Sequence, residues 1–220
     1  MLLGSVYGDE EIEGVDAATF LVVGLIGYGV AATAFAGLAI TIVVRREQGL
    51  LKRVRGTPLG PGTYLTAVIG SEVIVIVLQV IAQLLLGRYL FEAEWPAAPG
   101  AFAFSILVGA AAFAALGLAV TALVRTADGS SAVVNAIYLP MAFISGTFFS
   151  TEDMPAFLEA IAELLPLKHL LDLMRGTFVQ GEGLPSSTGA LAVVTVWGLA
   201  GLACAVRMFR WEPREGIKET

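Results

Sequence analysis

Five stretches of this 220-residue chain stay apolar long enough to cross a bilayer, which takes about 20 residues at 1.5 Å of rise each. They cover residues 17–44, 63–86, 101–124, 131–149 and 188–208. The first is long enough to tilt or to begin with an interfacial turn. The fourth carries Pro140 in mid-span, where the missing backbone donor predicts a kink. Between the fourth and fifth runs, residues 154–174 place Phe157, Leu158, Ile161, Leu164 and Leu165 at helical spacing, the pattern of a surface helix packed on its own bundle. No hydrophilic stretch is long enough for a separate soluble domain. The pattern therefore predicts one all-α integral membrane domain over residues 1–220 with about five transmembrane helices.

The polar positions inside these runs mark the faces that avoid lipid. Glu72, Gln79 and Gln83 lie within ~40° of one another on a helical projection and form one polar stripe. A carboxylate on a lipid-facing surface costs a few kcal/mol or more, so the stripe faces protein, water or a neutralising partner. It either clamps two helices or lines a translocation path. In the fourth run Ser131, Asn135, Tyr138, Ala142 and Ser145 form a second such face. In the third, Ala110, Ala114, Gly117 and Thr121 form a face of small residues suited to close helix approach. For Asn135, Tyr138 and Ser145 the same alternatives, packing or contact with a transported molecule, stay open.

Composition agrees, with 57% hydrophobic and 15% charged residues. The net charge of −6 says little until the charges are sorted by side. Arg45, Arg46, Lys52, Arg53 and Arg55 stand between the first two runs against Glu47 alone, so this loop is expected in the cytoplasm. Alternation then places ten of the thirteen basic residues inside and thirteen of the nineteen acids outside. The expected topology is N-terminus out and C-terminus in, with Tyr89, Phe91 and Trp95 near the outer boundary and Phe209 and Trp211 near the inner one. The acidic first sixteen residues do not resemble a secretory signal.

Candidate chemistry is sparse. Cys204 is the single cysteine and His169 the single histidine, so neither a disulfide nor a zinc site is expected, and Glu163 and Asp172 beside His169 would make a poor one. Ser145 and His169 are the one conceivable nucleophile and base. Ser145 lacks the preceding glycine of a Gly-x-Ser-Gly signature, and no catalytic residues are assigned. The chain has no Gly-Lys pair and hence no phosphate-binding loop of the G-x-x-x-x-G-K-[ST] type. The basic loop, RREQGLLKRVRGTPLGPGTYL over residues 45–65, contains a short amphipathic helix. Leu50, Leu51 and Val54 are its apolar positions, Lys52, Arg53 and Arg55 its basic ones, and Gly56 and Pro58 end it. Taken alone, it reads as a helix lying on anionic lipid.

Two segments together go further. The run Arg46, Glu47, Gly49, Leu51, Lys52, Arg53, Arg55, Thr57, Pro58, Leu59 is similar to the cytoplasmic RExGTLKRLRxTPL segment of the ABC type-2 permease family, the membrane subunits of daunorubicin-resistance-like exporters. The segment from Asn135 to Gly176, NAIYLPMAFISGTFFSTEDMPAFLEAIAELLPLKHLLDLMRG, resembles that family's span ending in Ser-Gly-x-Phe-Phe, followed by Met-Pro, Leu-Pro-Leu and Asp-x-x-Arg. Leu50 stands where the family usually has Thr, and Ser150 where it often has Pro. Members typically have six spans, and the opening MLLGSVYGD reads as the tail of a first transmembrane helix that precedes this sequence.

The resemblance implies a coupling helix in the first loop, docked on a cytoplasmic ABC ATPase. Arg45, Arg46, Glu47, Lys52, Arg53 and Arg55 would face that partner while Leu50, Leu51 and Val54 anchor the helix. It also implies a second permease, identical or not, ATP and Mg²⁺ on the partner subunit with no cofactor in this chain, contact with membrane lipid, and an outer segment at 154–174 that folds back into the outer leaflet. Nucleic acid is not an expected partner. The expected activity is export of an amphiphilic drug or lipid across the plasma membrane of the cell. The alternative is a scaffold that transports nothing.

Overall fold

The computed structural model describes residues 11–12, 15–56, 61–124, 126–151, 154–181 and 188–208. The first ten residues, Thr57–Leu59, Arg125 and the basic tail beyond residue 208, with Phe209 and Trp211, lie outside the described residues. Two short strands, β1 (Glu11–Ile12) and β2 (Val15–Asp16), pair antiparallel with Ile12 opposite Val15. Every regular element described after them is helical. Helix α1 runs over Ala17–Glu47 and α2 over Leu50–Arg55, with α3 at Pro61–Phe91, α4 at Pro99–Val120 and α5 at Ala127–Ile144. After α5 come two shorter helices, α6 (Ala156–Ala162) and α7 (Pro166–Phe178), and then α8 (Thr188–Met208).

Four of these, α1, α3 from Thr66 onward, α4 and α8, are long and apolar enough to cross a membrane. The expected run at 131–149 is instead α5, displaced toward its N-terminus. It starts on a Thr126 cap, whose hydroxyl accepts from Gly129 N, and ends where Gly146 turns at φ +77°. Its extra residues include Asp128, so α5 is less apolar than the other four. It still packs along the lower half of α1, and Pro140 is accommodated inside it.

Close backbone approach holds the bundle together. The most extensive pairing is α4 with α8, where Gly198 faces Ala112 and Gly201 faces the backbone of Leu116. Helix α1 is the most enclosed of the spans and contains a six-residue π-helical stretch, Ala32–Gly37. Gly117 of α4 is pressed against that stretch: a Cβ there would lie 2.6 Å from the Phe35 carbonyl oxygen. The small-residue face expected on the third run is thus a seam against α1.

The segment at 154–174 is not one surface helix. It folds as α6 and α7, and α7 is inserted between α1, α4 and α8. Leu167, Leu170, Leu171, Met174 and Phe178 are all buried, Phe178 edge-on to Phe102 of α4. The last carbonyls of α7 accept from the N–H groups of Ala97 and Ala98 ahead of α4, which satisfies a helix end inside an apolar bundle.

Candidate functional site

The basic end of the bundle is built on the last turn of α1. Gln48 ends the helix, Gly49 takes a left-handed conformation at φ +70°, and α2 leaves in a new direction. Leu51 is fully buried against Leu38, Ile42 and Val68, and this contact fixes α2 to the bundle. Val54 is half-buried, whereas Leu50 is 38% exposed and does not anchor. Lys52 and Arg53 project from α2 as exposed cations; the side chain of Arg55 lies outside the described residues.

Arg46 and Glu47 do something the sequence did not indicate. Arg46 is turned inward and only 5% exposed. Its Nη1 donates to the Thr121 carbonyl at 3.0 Å and its Nη2 to the Val124 carbonyl at 2.6 Å. Those carbonyls belong to the turn ending α4, where a cation suits both the unpaired oxygens and the helix dipole. Glu47 accepts from the N–H of Ala127 at the start of α5. The pair therefore brackets the turn between α4 and α5. Arg46, expected to face a partner, is a structural clamp in this fold. Arg45 points elsewhere, donating to the Tyr64 hydroxyl at 3.1 Å and acting electrostatically on Glu72 two turns up α3.

The polar stripe of α3 faces α1. Thr33 donates to Gln79 Oε1 at 2.9 Å, and Gln79 Nε2 lies 3.3 Å from Gln83 Oε1. Gln83 in turn donates to the Leu25 carbonyl at 3.0 Å. Gly29 leaves room for the Gln79 amide, since a Cβ there would strike it. Glu72 is half-buried at the basic end of the same stripe. This geometry is that of a helix clamp. Tyr138 is buried and donates to the Tyr28 carbonyl at 2.5 Å while stacking near Tyr28 and Phe35, so it too ties α5 to α1. Asn135 bonds within its own helix to Ser131. Ser145 is buried, and its hydroxyl has no hydrogen-bond partner among the described residues.

A profile of the family described as "ABC-2 type transporter" matches residues 1–179. The chain belongs to that family. Among its curated relatives is YvfS of Bacillus subtilis, named as a transport permease, 29% identical over 148 residues that make up 63% of this chain and 58% of the relative. YbhR of Escherichia coli, named as a multidrug ABC transporter permease, is 21% identical over 78% of this chain and 47% of its own length. Nodulation protein J of Sinorhizobium fredii is 31% identical over 52% of this chain and 44% of its own length. The chain spans about half the length of these relatives.

In this ABC-2 chain the two family-like segments sit at opposite ends of one bundle. At the end away from α2, Arg175 of the Asp-x-x-Arg sequence is almost fully buried. Its guanidinium lies 3.7 Å from the Phe20 ring centroid and donates to the Gly146 carbonyl at 2.5 Å. It pins the Ser145–Gly146 turn to α1 and α7. The spacing of the motif was visible in the sequence; the carbonyl and ring that it meets, 29 and 155 residues away, were not.

Proposed function

We propose that this chain is the membrane-spanning permease subunit of an ATP-driven exporter, with ATP and Mg²⁺ bound and hydrolysed on a separate ABC ATPase that docks on α2. The observation that carries this reading is the construction of α2. It is a short helix held by one buried leucine, with Lys52 and Arg53 facing outward, directly continuous with a helix that crosses the whole bundle. A push on α2 reaches α4 and α5 through Arg46 and Glu47 and reaches α3 through the Gln79–Gln83 clamp. Such a linkage moves helices as bodies, which suits alternating access. The sorting of charges supports α2 on the cytoplasmic side and the start of the chain outside, with the plasma membrane as the proposed setting. A second permease, alike or different, completes the assembly, and the cargo is an amphiphilic drug or lipid.

The first test is purification from native membranes in mild detergent with any upstream segment present. Stoichiometric recovery of an ATP-hydrolysing subunit is expected. Arg53→Glu with Arg55→Glu should then abolish its retention, or leave ATP hydrolysis uncoupled from transport, while membrane insertion persists. Arrival of the chain alone, or transport undisturbed by the double reversal, would reject docking on α2.

A further inference from the structure

The α6–α7 hairpin reaches the middle of the bundle, and three separate rulers agree on the depth. Trp197 Nε1 donates to the Leu164 carbonyl at 3.1 Å, and Trp197 is nine residues along α8 from Thr188, about 14 Å from that helix end. Leu170 packs on Gly109, ten residues into α4 from Pro99, and Leu171 packs on Gly27, ten residues into α1 from Ala17, each about 15 Å deep. A hydrocarbon core is roughly 30 Å thick, so the hairpin tip lies near its centre.

That tip is charged. Lys168 Nζ is 2.9 Å from Glu163 Oε1 and 2.8 Å from Asp172 Oδ2, and His169 Nε2 is 2.8 Å from the Glu163 carbonyl oxygen. Lys168 is nearly covered, but Glu163 keeps 54% and Asp172 37% of side-chain exposure, and Glu159 on α6 is exposed too. Two carboxylates, Glu163 and Asp172, thus share one ammonium, and Glu159 lies one helical turn before Glu163. Half-exposed carboxylates at mid-bilayer depth are tolerable where water, protein or a neutralising partner covers them, and Lys168 is one such partner here.

Directly beside the tip begins a groove of about 460 Å³ between α5 and α8, floored by Phe35, Phe113 and Leu116 and closed at mid-depth by Ile161, Leu165 and Pro166. It runs down α8 from Trp197 to Met208, about 16 Å, the depth of one leaflet.

We infer that tip and groove form one binding site for a cationic amphiphile, its ammonium group at Glu163 and Asp172 and its hydrocarbon body in the groove, with water reaching the tip from the side opposite α2. This deepens the permease reading and rests on it for the identity of the ligand as cargo. The pose has the head leading, already in the outer half, and the tail still level with the inner leaflet.

The test uses cysteine accessibility in the full chain. Cys204→Ser removes the single cysteine, and Leu164→Cys, at an exposed position that keeps every charge, reports on the tip. In sealed vesicles of known orientation, trimethylammonium-ethyl methanethiosulfonate should react with L164C from the face opposite α2. Relative to a free thiol in solution, it should do so about tenfold faster than the sulfonate-bearing reagent. Glu163→Gln with Asp172→Asn should bring that ratio close to one. Decyltrimethylammonium should slow the reaction and decyl sulfonate should not. Ile161→Cys, at the groove edge, is the second reporter should L164C fail to fold, and Lys52→Cys reports the face of α2 independently.

No reaction from the face opposite Lys52→Cys, or equal rates for the two reagents, overturns the site. Reversal of both faces together would instead overturn the assigned orientation and leave the site standing. None of these readouts requires ATPase or transport, so a failed site and a failed permease reading are separable.

Discussion

Arg46 offers the sharpest check on how this bundle is held. Its guanidinium donates to two carbonyls in the turn after α4, at 3.0 and 2.6 Å, from a position that is 5% exposed. Hydrogen bonds from a charged donor contribute about 1.5–3 kcal/mol each, and a carbonyl left buried without its partner costs a similar amount. Arg46→Met keeps the apolar stem and removes the head, so the expected loss is about 3–5 kcal/mol. Arg46→Lys retains a cation at a helix C-terminus but cannot span both oxygens, and should lose roughly half as much. Lys52→Met, an exposed neighbour on α2, serves as control and should be close to neutral. Unfolding of the purified chain, titrated with SDS in mixed micelles, reads all three. The reasoning is refuted if Arg46→Met and Lys52→Met are alike, because Arg46 would then be dispensable to the turn and available to a partner.

Three further substitutions probe the other contacts, each measured in the same titration. Gly117→Val forces a side chain into the seam where a Cβ would already stand 2.6 Å from the Phe35 carbonyl oxygen, and should cost about 1–3 kcal/mol; a neutral result would mean that α1 and α4 do not approach at the π-helical stretch. Gln79→Leu removes the bonds to Thr33 and Gln83 and should cost about 1 kcal/mol. If it instead leaves stability intact and abolishes transport in the assembled system, the stripe lines a path and is not a clamp. Tyr138→Phe removes one hydroxyl bond to the Tyr28 carbonyl while keeping the aromatic stack, and a loss of about 1 kcal/mol is expected; no loss would remove that bond from the account.

What could be read from the sequence divides along a physical line. The long apolar runs were legible to within a few residues because a backbone in hydrocarbon has to satisfy its own polar groups, and a helix is the local way to do so. The amphipathic α2 was legible for the same local reason, through its spacing and the Gly56 that ends it, whereas the left-handed turn at Gly49 was not read from the sequence. Everything decided by a distant partner was hidden. Counting charges treats Arg45, Arg46, Lys52 and Arg53 as equivalent, yet one bonds to Tyr64, one is buried under the turn after α4, and two face outward, which depends on residues up to 78 positions away.

The α6–α7 segment shows the same limit more deeply. An apolar stripe at helical spacing looks identical whether it will lie on lipid or pack into a bundle, and what admits α7 to the interior is the absence of side chains at Gly27 and Gly109, on two other helices. The polar residues of that segment therefore change meaning once the fold is known. Glu163, Lys168 and Asp172, unremarkable on a surface helix, become an ion-paired group near the bilayer centre, and their position beside an apolar groove connects this chain's packing to the kind of molecule it can bind.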